Sequence, residues 1–340
     1  MHVLIYDLSY EDLVSFLNEH GYKKYRADQV WHWLYKQKVE AFKDMNNIPA
    51  DLIELLDESF VLKPLELVMK HVSTDGTIKA LYGLKDGNLI ESVLMKQHYG
   101  NAICVTTQVG CNIGCSFCAS GLLKKQRDLT AGEIIAQIIE TEQLLGERIN
   151  YVVVMGIGEP MDNYENLTKF LTTINHPKGL AIGARHITVS TSGLVPKIKE
   201  YAHFPLQINL AISLHAPNNE IRSSLMKINK AYPIEEVIDA IKYYLKVAHR
   251  RVTIEYILID GVNDMPEVAN ELVWRLKGLN VYVNLIPYNE VIEAPYKRSK
   301  IESQLKFYDI LMKNKIQVTL RKEQGHDINA ACGQLRSQHL

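Results

Sequence analysis

The chain has 340 residues, 47% of them hydrophobic, enough to bury one large core with a smaller appended unit. Its 38 basic and 39 acidic residues leave a formal net charge of -1, so the molecule is no polycation and any nucleic-acid contact must come from local patches. No window approaches ~18 uninterrupted apolar residues, and Met1-His2-Val3-Leu4-Ile5-Tyr6-Asp7 has no basic-then-apolar signal pattern, so a cytoplasmic protein without a membrane span is expected.

Ser9, with Asp12 three residues on, predicts a helix over Tyr10 to Glu19 that Gly21 ends. A second apolar stripe follows in Val30, Trp31, Trp33 and Leu34, and a third helical segment starts after Ile48-Pro49 with Leu52, Ile53, Leu55 and Leu56. Residues 1–62 thus read as a small helical accessory unit. From Leu65 to Gln97 the pattern turns strand-like, punctuated by Asp75-Gly76 and Asp86-Gly87, which predicts a short antiparallel β meander within 63–100. Between 101 and 320 six apolar runs recur: Ile103 to Val105, Tyr151 to Met155, Ile187 to Ser190, Ile208 to Leu214, Val252 to Leu258 and Val281 to Ile286. Amphipathic stretches separate them, among them Ala131 to Leu145 behind the capping box Thr130-x-x-Glu133, Ile234 to Ala248, and Glu267 to Leu276. The alternation predicts an α/β fold of parallel strands and crossover helices, either a barrel or a doubly wound sheet, with ligands at the C-terminal strand ends. A final loop segment, 321–340, carries Cys332.

Five cysteines, three of them within eight residues, do not make a secreted disulfide framework; metal binding or redox catalysis fits them better. The three are Cys111, Cys115 and Cys118, in one loop after the first core strand. Structural zinc takes four ligands, so this loop needs either a distant fourth ligand or an iron–sulfur cluster with one open iron. The spacing CxxxCxxC, with Phe117 before the last cysteine, resembles the radical S-adenosylmethionine (SAM) signature, in which the amino and carboxylate groups of SAM chelate that iron. Gly156-Ile157-Gly158-Glu159-Pro160 follows the next strand. It reads as an ordinary glycine-rich turn or as a SAM-binding element in which Glu159 meets an ammonium group. Polar clusters close three further strands: Ser190-Thr191-Ser192-Gly193, Ser213-Leu214-His215, and Asn284 through Asn289. Each alone suits a helix cap or turn; together they suit the walls of a SAM site.

These motifs, with Arg185-His-Ile-Thr-Val-Ser-Thr-Ser-Gly193, Ser213-Leu-His-Ala-Pro217 and Asp327-Ile-Asn-Ala-Ala-Cys-Gly-Gln-Leu335, resemble the bacterial dual-specificity RNA adenine-C2 methyltransferases over essentially the whole chain. Asn329 stands where that family more often has Asp. The resemblance implies a partial TIM-type barrel of six βα units, a [4Fe–4S] cluster on Cys111, Cys115 and Cys118, and two SAM molecules per turnover. It further implies SAM contacts at Gly158, Glu159, Ser190, Ser213, Leu214, His215 and Asn289. Its expected substrates are adenosine 2503 of 23S rRNA and adenosine 37 of tRNA. By the same resemblance Cys332 accepts a methyl group from one SAM, a 5′-deoxyadenosyl radical from the second activates that methyl, Glu91 removes the proton from carbon 2, and Cys104 resolves the adduct as a disulfide. Position alone reads differently, since Cys104 lies in an apolar run where inert cysteines are ordinary and Glu91 in a strand whose solvent face carries charge.

The chemistry requires an electron donor, a reductase or a flavodoxin- or ferredoxin-type protein, and the chain is expected to be monomeric. Four basic runs are candidate RNA contacts: Lys23-Lys24-Tyr25-Arg26, Lys124-Lys125-Gln126-Arg127, His249-Arg250-Arg251 and Lys297-Arg298, with 124–127 the best placed. The target adenosine must also leave its stack to be reached. Two alternatives stay open. A related group methylates carbon 8 of the same ribosomal adenosine and confers antibiotic resistance, although Glu159-Pro160, the following Met-Asp-Asn-Tyr164 and Arg185-His186 look like the C2 group. A non-catalytic metal-containing RNA-binding module would need a fourth protein ligand.

Overall fold

A computed structural model of the chain describes residues 3–335; Met1, His2 and the last five residues of the 321–340 segment lie outside the described residues. The N-terminal unit holds helices Tyr10–Glu19, Lys24–His32 and Ala50–Ser59. Ser9 and Asp12 form the expected reciprocal capping box. The second helix runs on into a π turn, Trp33–Gln37, so its apolar stripe extends past Leu34. Trp31 is buried within this unit. The unit docks on the rest of the chain where Asp7 accepts from the Gly132 amide at 2.7 Å, at a place where a Cβ on residue 132 would sit 2.9 Å from the Asp7 nitrogen.

Ten strands build the main sheet: β1 (Leu65–Val72), β2 (Ile78–Leu84), β3 (Leu89–Gln97), β4 (Gly100–Cys104), β5 (Ile149–Val154), β6 (Ile187–Thr191), β7 (Asn209–Ser213), β8 (Val252–Leu258), β9 (Val281–Pro287) and β10 (Gln317–Leu320). Their spatial order follows the chain without reversal. The first four pair antiparallel, forming the meander with turns at the two Asp-Gly pairs, and from β4 onward every pairing is parallel. A sheet that never reverses direction sends every crossover to the same face, which selects the partial barrel over the doubly wound alternative. Helices Ala131–Leu145, Ile234–Ala248 and Pro266–Leu276 lie where the periodicity predicts them, and helix Tyr164–Asn175 and helix Ile301–Lys313 complete further crossovers. β10 is an addition, a four-residue strand too short to read from pattern, and it ends the sixth βα unit.

Side-chain alternation decides what the barrel contains. One set of strand residues, including Val152, Val154, Val189, Leu210, Ile212, Ile254, Val283 and Leu285, packs in the large hydrophobic core under the helices. The alternate set faces inward and is mostly polar: Thr188, Ser190, Ser213, Thr253, Glu255, Asn284, Thr319 and Arg321 line cavities. The lumen of this barrel is therefore a lined space rather than a packed core. No described helix is long and apolar enough to cross a membrane.

Candidate active site

The C-terminal ends of β4 to β10 converge on a cleft with two adjoining compartments. The first, of about 940 Å³, is lined by Cys111, Cys115 and Cys118 on one side and by Gly158, Glu159, Ser190, Ser213 and His215 on the other. The second, of about 750 Å³, holds Cys104 and Asn289. Cys118, Arg321, Cys332 and Gly333 line both, so Cys332 stands at the seam.

The cysteine loop is fixed by its backbone. The Ser116 amide donates to the Leu225 carbonyl at 2.9 Å, and the Cys118 amide to the Cys115 carbonyl at 3.2 Å. Gly110 adopts a positive φ of 77°, where a Cβ would lie 2.2 Å from the Lys124 carbonyl oxygen, so no larger residue serves there. Burial pushes the Cys111 thiol up to about 11, and burial together with the other two cysteines raises Cys115 well above its ordinary value. Three crowded thiols whose anionic forms repel one another, with Glu159 adding to the repulsion, are a donor set suited to a cationic centre. Among the described residues no group of three or more His, Cys, Asp and Glu side chains closes on a single ion, so the fourth ligand of a structural zinc site is not supplied. A multi-iron cluster, which bonds each thiolate through a different iron, fits this arrangement.

Glu159 is buried. Its carboxylate accepts from the Ser192 amide at 2.7 Å and the Met161 amide at 3.0 Å, while burial raises its pKa. Gly158 has φ 109°, and a Cβ there would lie 2.7 Å from the Gln108 Cβ, so the glycine is required where the chain passes this close. Ser190 and Ser213 hydroxyls lie 3.3 Å apart across β6 and β7. His215 has φ 58°, takes the Ile257 amide on Nδ1 at 3.1 Å, and packs edge-on against Phe117; burial, with Arg222 nearby, lowers its pKa to about 3.

Two of the residues expected to contact SAM do not line the first compartment. The Leu214 side chain is in the hydrophobic core and lines neither compartment. Asn289 borders the Cys332 compartment and donates to the Cys332 carbonyl at 3.1 Å, leaving its buried Oδ1 without a partner.

Cys104, at the end of β4, pairs in register with Val93 of β3. Burial, with Cys332 adding to it, pushes its thiol up to about 12. Glu91 lies two residues from Val93, on the same face as Cys104, and its buried carboxylate is 3.5 Å from the Lys79 ammonium. It lines neither compartment. Lys79 also donates to the Asn329 carbonyl at 3.4 Å, tying Glu91 to the segment that carries Cys332.

That segment crosses back from β10 to the meander. Asp327 accepts from the Ser73 hydroxyl at 2.5 Å and the Thr74 amide at 3.1 Å, and Asp75 accepts from the Gly325 amide at 2.9 Å. Asn329 takes φ 51°, a left-handed conformation that asparagine tolerates. On the other side the Ala119 amide donates to the Gly333 carbonyl at 2.7 Å and Ser120 to the Leu335 carbonyl at 2.8 Å, pinning the segment to the cysteine loop. Burial raises the Asp75 carboxyl, but hydrogen bonds from Thr77 and Gly325 outweigh it and hold the group at about 2. With the folded pKa below the ordinary 3.8, this anchor is complete above that value and lost as pH falls through about 2. Replacing Asp75 by alanine is expected to speed hydrogen exchange over residues 325–335 at neutral pH while the melting temperature barely moves. Unchanged exchange there would show that Asp327 and the contacts of Lys79, Ala119 and Ser120 hold the segment without Asp75.

Of the three cations in the favoured basic run, two are paired. Lys125 is paired with Asp128 at 2.8 Å and Asp162 at 2.7 Å, and Arg127 with Asp86 and Glu133. These residues brace the loop onto helix Ala131–Leu145, and Lys124 is left as the exposed cation of the run. Lys297 and Arg298 are likewise paired, with Glu290 and Glu323. Residues that sequence reasoning did not single out include Arg321, Glu255 and Arg222. Arg321 follows the unpredicted β10, and Glu255 alternates with apolar neighbours in β8, a pattern that was legible as an inward polar position.

Residues 105–272 match the Radical SAM superfamily, and residues 3–62 match the Ribosomal RNA large subunit methyltransferase N-terminal domain. The chain superposes on a radical SAM methyltransferase from Sphaerobacter thermophilus with TM-score 0.96 and 44% identity, covering 99% of this chain and 100% of that one. Fold and site together define a radical SAM methyltransferase, which implies SAM and a [4Fe–4S] cluster as cofactors. It is 67% identical over 338 residues to the probable dual-specificity RNA methyltransferase RlmN of Acholeplasma laidlawii, covering 99% of this chain and 100% of that protein. It is 59% identical to the protein of that name from Enterococcus faecalis, covering 99% of this chain and 96% of the other. The chain belongs to the RlmN family.

Proposed function

We propose that this protein methylates carbon 2 of adenosine in 23S rRNA and in tRNA, through a methyl group carried on Cys332 and a disulfide formed with Cys104. The observation that carries the reading is the seam: Cys332 lines the compartment of the three clustered thiols and also the one that holds Cys104. Cys111, Cys115 and Cys118 would hold the cluster, with Glu159, Ser190, Ser213 and His215 beside SAM. Cluster and SAM, when bound and reduced, supply a 5′-deoxyadenosyl radical, the agent that an unactivated methyl C–H bond requires.

The rest follows from the chain's own residues. Cys332, as thiolate, takes a methyl group from a first SAM by displacement at carbon and releases the thioether S-adenosylhomocysteine. Cys104, its thiol pushed to about 12, is protonated at rest and does not compete for that methyl. Once the carbon is bonded to the base and the adduct has given up its unpaired electron, which would return to the cluster, Glu91 takes the proton from carbon 2. The sulfur of Cys104, losing its own proton, attacks the sulfur of Cys332; the new S–S bond forms as the S–C bond breaks, and the released carbon takes up a proton, leaving a methyl on the base. Two electrons from an external donor then restore both thiols. Lys79, which bridges Glu91 and the Asn329 carbonyl, couples the base to the loop of the nucleophile.

The test is nucleoside mass spectrometry of RNA treated with the reconstituted protein, SAM and a reductant. 2-Methyladenosine is the expected product in both RNA classes; 8-methyladenosine, or no methylated base, would overturn the assignment.

A further inference from the structure

The lumen continues below the reaction cleft. A cavity of about 730 Å³ opens at the N-terminal ends of the strands, and it shares Met95, Val153, Met155 and Arg321 with the compartment of Cys104 and Cys332. One passage thus leads from that rim to the reacting thiols.

Three rings stand in a row along the rim. Tyr99 meets Tyr151 edge-on with centroids 5.0 Å apart, and Tyr151 meets His186 at 4.4 Å with a tilt of 34°. They come from three successive strand starts: Tyr99 from the turn between β3 and β4, Tyr151 from β5, His186 from the residue before β6. Tyr99 is 54% exposed and His186 is exposed, so core packing does not account for the row.

The same cavity is lined by as many carboxylates as cations, but at its rim two of the cations are exposed and, among the described residues, unpaired. Its carboxylates are engaged: Asp75 with the Gly325 and Thr77 amides, Glu255 with the Asn284 amide, Glu323 with Arg298. Arg185 and Lys322 are exposed and, among the described residues, form no ion pair; Arg185 makes a side-chain hydrogen bond to the neutral Gln207 at 3.3 Å. Ring faces flanked by uncompensated cations, around a concave entrance, are the chemistry that holds single-stranded nucleic acid.

We infer that Tyr99, Tyr151 and His186 form a stacking platform, with Arg185 and Lys322 as phosphate contacts, for the unpaired nucleotides next to the adenosine that enters the barrel. The inference rests on the RNA reading above and adds where the strand is gripped. Ring faces read no base edges, so the platform accepts different flanking sequences, as a protein with two RNA substrates requires. The passage to the thiols favours RNA over an acidic protein donor, which needs no lumen.

The test uses the full chain and a fluorescently labelled hairpin RNA with an adenosine in its loop, followed by anisotropy across a salt series. Tyr99→Ala is expected to weaken binding about tenfold, with Tyr99→Trp restoring it to within about twofold of wild type. Arg185→Ala should reduce the slope of log affinity against log salt by about one phosphate contact, whereas Tyr99→Ala leaves the slope unchanged. Wild-type affinity and slope in both alanine variants, from a protein whose parent binds and methylates the RNA, overturn the platform alone. A parent that binds no RNA overturns the platform together with the RNA reading. Unchanged RNA affinity with slower reduction by a flavodoxin-type donor would assign the patch to a protein instead.

Discussion

Cys332→Ala is expected to lose all RNA methylation while still cleaving SAM to 5′-deoxyadenosine under reduction at the wild-type level. The loop around Cys332 is held by backbone groups, its own carbonyl on Asn289 and the Gly333 carbonyl on Ala119, so alanine removes the nucleophile and leaves the loop in place. None of the residues assigned to SAM or the cluster is touched. The companion variant Cys104→Ala retains the methyl acceptor but lacks the thiol that breaks the S–C bond, and it should accumulate a covalent protein–RNA adduct, visible as a shifted band on a denaturing gel. Methylation by Cys332→Ala would sink the relay. Loss of SAM cleavage in that variant would instead make Cys332 part of the radical-generating site.

The second large effect is on stability. Arg222 is fully buried, donating to the Ser192 carbonyl at 2.6 Å and to Asn229 Oδ1 at 2.9 Å; burial lowers its pKa to about 10, still charged at neutral pH. Methionine at this position spares the desolvation of a cation but orphans two buried acceptors, each at ~1–3 kcal/mol, for a net loss of about 3 kcal/mol. In a chain of this size the melting temperature should then fall by roughly 4 °C. The change also reaches the site, because the Ser192 amide holds Glu159, so SAM affinity measured by titration calorimetry should drop as well. An unaltered melting temperature would mean that Ser192 and Asn229 find other donors.

Much of the fold was legible because period and punctuation agreed. The capping box at Thr130 marked the start of its helix, and the two Asp-Gly pairs set the meander turns. Barrel and doubly wound sheet share the same alternation of elements, so strand order, a property of space, had to decide between them. The cluster loop, Gly158 and Glu159 were legible because their spacing is local chemistry. Glu91, Cys104 and Cys332 were named only through the family resemblance, because they lie in different parts of the chain and only β3, β4 and the returning segment bring them near one another. The basic run at 124–127 misled for the converse reason: its partners Asp86, Glu133 and Asp162 are distant in sequence or on another element, and neutralisation is invisible in a local count of lysines.

The contact between Ser73 and Asp327 spans 254 residues. Closing a loop that long carries an entropic penalty that no local contact offsets, and such contacts form after the nearer ones. The segment bearing Cys332 is therefore expected to dock late, on a barrel whose three clustered cysteines are already together. Under the proposed relay, the thiol that would carry the methyl group is then the last of the reacting groups to be placed, after the loop of the three clustered cysteines.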